Sequence, residues 1–304
     1  MHKVSRTSES FEIERLATLF VSSLSSFMTD KTRKRIIQPQ STFALSLAQE
    51  TERKTRQTAS VFILIGRKIK ARVSVVHCYL INMTETTSRL GVIIFPGFAL
   101  LDVAGPMQFF NQLSSLRPFQ LSVIAKTMDS VTTIPPKSAM PPAQYQPVGE
   151  EWLPTHTFDN APDLDILLVP GGHGIREKTI FDDVTSFIKA RYPTLKYLLS
   201  VCTGSMMVAA AGVLDGRKAT SNKFSWDFAT SNKSVNWIRK ARWVVDGNIW
   251  SSSGVAAGMD MTYAFISEIF SLDIARRIAN IMEYEPHTDP NWDPFSEIWQ
   301  QPSQ

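Results

Sequence analysis

Short apolar runs alternate with longer helical stretches from residue 90 to residue 284, and this alternation constrains the fold more than any other feature. Continuous apolar runs are typical of strands that are buried on both faces of a parallel sheet. We predict strands at Leu90–Phe95, Phe119–Ala125, Asp165–Val169, Lys196–Val201, Ala241–Val245 and Asn248–Ser252. We predict helices at Asp102–Leu113, Phe181–Arg191, Thr203–Ala211, Ala256–Phe270 and Asp273–Tyr284. The pattern indicates an α/β domain with a mainly parallel sheet and helices on both faces.

Two local features interrupt this alternation. Asp246-Gly247 lies between the last two predicted strands and predicts a two-residue hairpin turn. Residues 128–162 are polar and rich in proline, which excludes a long helix or a central strand there. We expect an excursion from the sheet in that region, built from a small hairpin and a loop.

Positive charge is concentrated in the first part of the chain. Residues 1–89 carry 15 Lys and Arg against 7 Asp and Glu, whereas residues 90–304 carry 17 against 21. The basic residues are not interleaved with aromatic residues, and they match no motif that reads nucleic acid. We therefore predict a basic, loosely structured extension over residues 1–88, one α/β domain over 89–290, a C-terminal tail over 291–304, and no nucleic-acid partner.

Composition excludes several further classes. The chain has 304 residues, of which 43% are hydrophobic and 20% charged, as in ordinary globular proteins. Its two cysteines, Cys78 and Cys202, are too far apart in sequence to indicate a disulfide scaffold, so we predict a reducing, cytoplasmic location. No apolar run reaches the roughly 18 residues that span a bilayer, and no membrane partner is expected. The spacing of His287, Asp289 and Asp293 matches no defined metal site, so no metal is predicted.

Cys202 follows an apolar strand and precedes a short helix of small residues. A strand-to-helix elbow presents the residue at its tip above the sheet, at the positive end of the helix, where a thiolate is stabilised. A cysteine that only packs in the core is the common alternative, but this position favours a nucleophile. We therefore predict that Cys202 is catalytic, with a pKa below the free value of about 8.5. Gly204 leaves room for the tight turn.

A second strand end carries Gly171, Gly172 and His173 directly after Val169-Pro170. Consecutive glycines let backbone N–H groups approach a ligand without obstruction by side chains. A plain turn explains the same residues equally well. His173 fits a general acid, a ligand contact or an exposed turn residue, and we assign it only to the pocket.

Asp102 is a lone carboxylate amid apolar residues near the start of a predicted helix. Taken alone, it is most simply a helix N-cap. Beside an elbow thiol at the mouth of an apolar pocket, its pKa would instead be raised, and it could act as both acid and base. The sequence leaves both interpretations open.

Four motifs occur in a fixed order along the chain: Pro96–Pro106, Val169–Gly172, Val201–Ser205 followed by Ala211–Thr220, and Asp246–Asp260. Together they resemble the ThiJ/PfpI superfamily of class I glutamine amidotransferase-like proteins, and within it the isonitrile hydratase-like branch, over about residues 89–290. The resemblance implies a flavodoxin-like domain, a homodimer, an elbow cysteine as nucleophile, and site roles for Asp102, Cys202 and Thr203. Gly204, Gly254 and Val255 are expected with His173 in the pocket.

The resemblance also implies a reaction. We expect water to add to a small electrophilic carbon, with an isonitrile giving an N-substituted formamide as the favoured lyase reaction and no cofactor. Cys202 would attack the carbon and Asp102 would relay a proton. Thr203 with the Gly171 and Gly172 backbone would hold a thioimidate.

Other branches of the superfamily fit less well. The protease branch has His directly after its cysteine, where this chain has Thr203, and neither His156 nor His287 is placed for a glutaminase triad. The deglycase branch has Glu where this chain has Asp102. The regulator branch adds a helix-turn-helix module, for which no room is expected after residue 284. An enzyme that handles 2-oxoaldehydes and a non-catalytic module that senses ligands or redox state remain as alternatives.

Overall fold

The structure, a computed structural model, describes residues 86–140 and 146–299. Most of the predicted extension over residues 1–88 lies outside these ranges, as do the last five residues of the chain. In the described part, no helix is both long enough and apolar enough to cross a bilayer.

A seven-stranded sheet forms the centre of the domain, in the order β10-β11-β7-β6-β1-β2-β5. Its strands are β1 Ser88–Ile93, β2 Phe119–Ala125, β5 His156–Thr157, β6 Ile166–Val169, β7 Tyr197–Ser200, β10 Trp243–Asp246 and β11 Ile249–Ser252. All neighbours pair in parallel except β10 with β11. The predicted mainly parallel sheet is confirmed.

The two central strands explain why the apolar runs in the sequence are continuous. All four residues of β6 are buried, and so are the last four of β1. A strand with neighbours on both sides and helices on both faces has no solvent-facing side, so it cannot alternate polar with apolar residues.

The helices pack in two groups, as expected for a sheet that is covered on both faces. Their bounds are α1 Leu100–Ser114, α2 Lys178–Arg191, α3 Gly204–Ala210, α4 Trp226–Ala229, α5 Ala257–Ile269, α6 Leu272–Ile281 and α7 Phe295–Ile298. Helix α1 packs with α5 and α6, whereas α2 packs with α3.

The described residues of the polar excursion, 128–140 and 146–162, form short elements. Its strands β3 Val131–Thr132 and β4 Glu151–Trp152 pair antiparallel, and β5 adds an edge strand beside β2. A further small pair, β8 Lys218–Ala219 with β9 Asn236–Trp237, lies in a separate ladder.

The predicted hairpin turn at Asp246-Gly247 is wrong by one residue. Asp246 still pairs with Ile249, so the turn residues are Gly247 and Asn248. Gly247 has a φ of 62°, and it is the only residue of the turn with a positive φ. A positive φ at the first central residue alone is the type II′ pattern, which requires glycine at that position.

Deletion of residues 1–85 should leave a protein that folds cooperatively, because both neighbours of β1 come from residues 119–169. Urea unfolding followed by circular dichroism measures this. Deletion of residues 1–91 is the matched control: it removes most of β1 from the centre of the sheet and should abolish cooperative unfolding. Aggregation of the shorter deletion would show that the first 85 residues are needed for folding.

Candidate active site

Cys202 lies at the tip of the turn between β7 and α3, in a strained backbone conformation. Its φ is 59°, which is uncommon for a residue that has a side chain. Hydrogen bonds hold this backbone in place: Cys202 N–H donates to the Ser253 carbonyl at 3.0 Å, and its own carbonyl accepts from the hydroxyls of Ser205 and Ser221. The predicted turn from strand to helix is therefore present, and Cys202 is only 7% exposed.

The loops after β1 and β6 reach the elbow because glycines allow a close approach. A side chain on Gly171 would lie 2.5 Å from Thr203 Oγ1, and one on Gly172 would lie 2.3 Å from the Gly97 carbonyl oxygen. Ala99 N–H also donates to the Gly171 carbonyl at 2.9 Å. Only a chain without Cβ atoms at both positions brings the three loops together without displacing backbone.

Asp102 is not a helix cap, so that interpretation is wrong. Ala99 occupies the N-cap of α1, and Asp102 is the third helical residue. Its side chain is fully buried, and its Oδ2 accepts a hydrogen bond from Gly171 N–H at 2.9 Å. Its Oδ1 has no hydrogen-bond partner of ordinary geometry among the described residues.

Burial raises the pKa of Asp102 to about 7, against the lowering effects of the Gly171 N–H and the nearby Cys202 thiol. A carboxylate in an apolar interior loses hydration that one backbone donor does not replace. The protonated and ionised forms are therefore nearly balanced at neutral pH.

The predicted low pKa of Cys202 is wrong. Burial, and next the charge of Asp102, raise the pKa of this thiol well above its ordinary range, although Thr203 and Asn222 oppose the rise. Helix α3 has only seven residues and does not outweigh these effects. Two neighbouring acidic groups in a dry site titrate as a pair, and this pair loses its first proton near neutral pH.

Thr203 and Gly172 form a second contact at the elbow. Gly172 N–H donates to Thr203 Oγ1 at 3.1 Å. Because Gly171 N–H donates to Asp102, neither glycine has a free N–H for an intermediate in this structure. The two glycines instead hold the side chains of Asp102 and Thr203 in place.

A cavity of about 190 Å³ opens onto the elbow. Of the predicted site residues, those in its wall are Cys202, Thr203, Gly172, His173 and Val255. The wall does not include four other predicted residues, which are Asp102, Gly171, Gly204 and Gly254. Gly254 instead lines a neighbouring cavity of about 290 Å³. Desolvation and the charge of Arg176 lower the pKa of His173, which favours its neutral form.

Sequence reasoning missed Asn222, which follows β8. Asn222 lines the same cavity, and its side chain interacts with the Cys202 thiol and lowers the thiol pKa. Its Oδ1 accepts from Ser225 N–H at 2.9 Å, which orients the amide. The sequence offered no signal for this residue, because a lone asparagine in a loop is ordinary turn chemistry.

The neighbouring Lys223 was also missed. Its side chain is 1% exposed, and its ammonium group pairs with Asp293 at 3.0 Å. It also donates to Ser253 Oγ at 2.9 Å and to two backbone carbonyl oxygens. This pair ties the segment that carries Asn222 to residues 291–299, which the sequence analysis describes only as a tail.

Across residues 86–140 and 146–299, no cluster of three or more His, Cys, Asp or Glu side chains is arranged to hold a metal ion. Asp293 pairs with Lys223, and the His287 ring packs against Trp292 with centroids 4.2 Å apart.

Asp102→Asn should make the protein more stable than the wild type at pH 8 but not at pH 5. The folded-state pKa of Asp102 is raised from 3.8 to about 7, so its contribution to stability is present below pH 4 and lost as the pH rises through 7. Asparagine keeps an acceptor for Gly171 and cannot ionise. The difference in free energy of unfolding should therefore change by about 3 kcal/mol between pH 5 and pH 8, measured by urea titration.

Asp165→Asn is the matched control for this experiment. Its hydrogen bond with Arg89 is the main cause that lowers the pKa of Asp165 to about 2, so both of its protonation transitions lie below pH 5. Its effect on stability should be the same at pH 5 and pH 8. The same behaviour from Asp102→Asn would contradict a raised pKa at Asp102.

Asp293→Ala should destabilise the protein by about 3 kcal/mol or more, because it leaves a buried ammonium group without its carboxylate. Glu297→Gln is the control, since Glu297 pairs with Lys240 on the surface, where both side chains are more than two-thirds exposed. Its effect should stay below about 1 kcal/mol. If both variants lose the same free energy of unfolding in chemical denaturation, the buried Lys223–Asp293 pair contributes no more to stability than the surface pair.

Comparisons with known proteins identify relatives of this chain. An isonitrile hydratase of Pseudomonas putida is 31% identical over 199 residues, which are 65% of this chain and 79% of that enzyme. Deglycase PH1704 of Pyrococcus horikoshii is 36% identical over 118 residues, 38% of this chain and 68% of that protein. The HTH-type transcriptional regulator GbdR of Pseudomonas aeruginosa is 26% identical over 202 residues, 64% of this chain and half of the regulator.

Solved structures show the same fold. The crystal structure of a ThiJ/PfpI family protein from Pseudomonas syringae superposes with a TM-score of 0.54 at 29% identity, and the match covers 69% of this chain and 79% of that one. The profile of the DJ-1/PfpI family matches residues 88–268, from β1 to helix α5. The chain therefore belongs to the DJ-1/PfpI family, as its four ordered motifs predict.

Proposed function

We propose that this protein is a cysteine-dependent enzyme that adds water to an electrophilic carbon of a small molecule, with an isonitrile giving an N-substituted formamide. The observation that carries the proposal is the proximity of the Cys202 thiol to a buried Asp102 carboxyl group, whose pKa is raised to about 7 by burial. A base with a pKa near neutrality, in contact with a thiol, is suited to taking a proton and returning it. The similarity to an isonitrile hydratase supports this reaction class.

The shape of the cavity supports a slim, weakly hydrated electrophile. Its volume is about 190 Å³, and the apolar side chains in its wall are Ala99, Ile175, Phe224, Phe228 and Val255. The thiol is only 7% exposed. An isonitrile ends in a bare carbon on a linear group, which reaches a recessed sulfur more easily than a branched carbonyl carbon does.

The first half of the proposed reaction forms a bond between sulfur and carbon. Asp102 takes the thiol proton, and the Cys202 sulfur attacks the terminal carbon of the isonitrile. The proton then passes from Asp102 to that carbon, which gives a neutral thioimidate, R–N=CH–S. Thr203 and Asn222 interact with the sulfur and lower the thiol pKa, so they stabilise the thiolate that attacks.

The second half releases the product. Water adds to the C=N carbon, one of its protons goes to nitrogen, and the bond between carbon and sulfur breaks. The remaining proton returns through Asp102 to the Cys202 sulfur. The sum is one isonitrile and one water converted to one N-substituted formamide, with the enzyme regenerated and no cofactor consumed. A homodimer and a cytoplasmic location remain predictions for this chain.

Two alternatives have specific support. An enzyme acting on 2-oxoaldehydes is suggested by the similarity to a deglycase. A sensor without catalysis is suggested by the similarity to a transcriptional regulator, although the match covers only half of that protein. Both alternatives involve the Cys202 thiol, so loss of this thiol does not tell them apart. A screen of substrates does.

Purified protein should convert a neutral alkyl isonitrile to its formamide, measured by liquid chromatography. Cys202→Ser should abolish turnover, and Asp102→Asn should reduce it at least about 100-fold, because asparagine cannot exchange a proton. Cys78→Ser is the matched control and should keep full activity. Turnover of methylglyoxal alone would favour an enzyme acting on 2-oxoaldehydes. Binding of either compound without turnover would favour the sensor.

The pH profile gives an independent test. Because Asp102 must be ionised to accept the thiol proton, kcat/KM should rise tenfold per pH unit below about 7 and then level off. Any residual activity of Asp102→Asn should lack this rising limb. A wild-type profile that stays flat from pH 5 to pH 8 would remove Asp102 from the mechanism.

A further inference from the structure

A second cavity, larger than the one at the thiol, adjoins it. Its volume is about 650 Å³, and Cys202 is not in its wall. The two cavities share four wall residues, which are Arg176, Phe224, Ser225 and Phe228. A molecule that reacts at the thiol can therefore extend past these residues into the larger space.

The wall of the larger cavity has an excess of positive charge. Among the described residues, neither Arg176 nor Arg239 forms an ion pair, and Asp227 is the acidic residue of this wall. Lys223 also lines the cavity, but Asp293 neutralises it. Two guanidinium groups thus face a single carboxylate.

Aromatic rings hold both guanidinium groups. Arg176 lies over the Phe228 ring at 4.4 Å, and Arg239 lies over the Trp226 ring at 5.2 Å. Stacking on a ring fixes the guanidinium plane and leaves its N–H edges available for a bidentate partner. Arg239 already donates to the carbonyl oxygens of Ser296 and Trp299, at 3.4 and 3.0 Å.

Arg176 is the group best placed to bind a substrate. It lines both cavities, and no described residue accepts a hydrogen bond from its guanidinium group. A carboxylate matches its fork of donors with two parallel hydrogen bonds. Arg176 is exposed, and its guanidinium group packs on the Phe228 ring rather than pairing with a carboxylate of the described residues.

We propose that the substrate carries a carboxylate that binds Arg176, while its electrophilic carbon reaches Cys202. This inference rests on the proposed function, and it narrows the substrate class from isonitriles in general to isonitriles that bear an anionic group. Arg239 adds positive charge to the wall of the larger cavity. The corresponding product would be an N-formyl amino acid or a compound of similar charge.

A matched pair of substrates tests this proposal. Isocyanoacetate and its methyl ester have the same reactive carbon and differ in charge. The wild type should have a kcat/KM for the acid about 10- to 100-fold above that for the ester, the gain expected of a charge-assisted bidentate contact. Arg176→Gln should bring this ratio close to one.

The control variant is Arg277→Gln, which removes one exposed positive charge from helix α6, outside the walls of both cavities. It should leave the ratio unchanged. A ratio near one in the wild type, or an equal fall of the ratio in both variants, would overturn the proposal.

A binding measurement separates this inference from the proposed function. Cys202→Ser protein is titrated with N-formylglycine and with its methyl ester, and quenching of tryptophan fluorescence reports on the cavity that contains Trp226 and Trp299. The acid should bind at least about 10-fold more tightly, and Arg176→Gln should remove the difference. If no isonitrile is turned over but this preference holds, the reaction is wrong and the anion site stands. Equal binding of acid and ester would overturn the anion site whatever the turnover.

Discussion

The Asp102 carboxyl group is buried without a cation, and the chemistry of the site depends on this. Four aspartates of the described residues are buried: Asp102, Asp165, Asp260 and Asp293. The other three pair with Arg89 and Lys196, with Arg242, and with Lys223, respectively. Each of those three carboxylates has a cation beside it, whereas Asp102 has one backbone donor and a neighbouring thiol, and burial raises its pKa to about 7.

The surrounding backbone holds Asp102 and Cys202 in this energetically unfavourable arrangement. The left-handed conformation of Cys202 and the close approach of the loops after β1 and β6 both cost stability, and both occur where central strands of the sheet end. Parallel strands that are buried on both faces supply a rigid edge from which these loops start. The site is thus strained locally and supported by a core that extends through the whole domain, which is the usual place for ligand sites in open α/β sheets.

The sequence predicted the fold and the proximity of Asp102 and Cys202 for the same physical reason. Continuous apolar runs identify central strands, and residues just after such strands lie together at one edge of the sheet. Asp102, Gly171 and Cys202 all follow central strands, so their proximity could be predicted. Asn222 follows β8, which pairs only with β9 outside the main sheet, so its position could not be predicted.

The direction in which the pKa of Cys202 is shifted could not be predicted either. The sequence shows a short helix after the cysteine, which favours the thiolate, but it shows neither the depth of burial nor the contact with a carboxylate. Those two effects raise the pKa, and both arise from tertiary packing. The same limit applies to the glycine N–H groups, whose acceptors lie 69 and 31 residues away in the sequence.

The proposed reacting pair and the proposed anion-binding wall come from different parts of the chain. Asp102, Cys202 and Thr203 lie at strand ends within residues 88–268, which the family profile covers. Trp299 and Lys223 line the larger cavity, and Asp293 pairs with Lys223, so residues beyond the profile contribute to this cavity. Proteins that share the elbow can therefore differ in substrate through the loop after β8 and the segment after α6. Both segments could be exchanged together for those of another family member, so that the Lys223–Asp293 pair stays intact. This exchange should change which substrate is preferred and leave Asp102 and Cys202 in place.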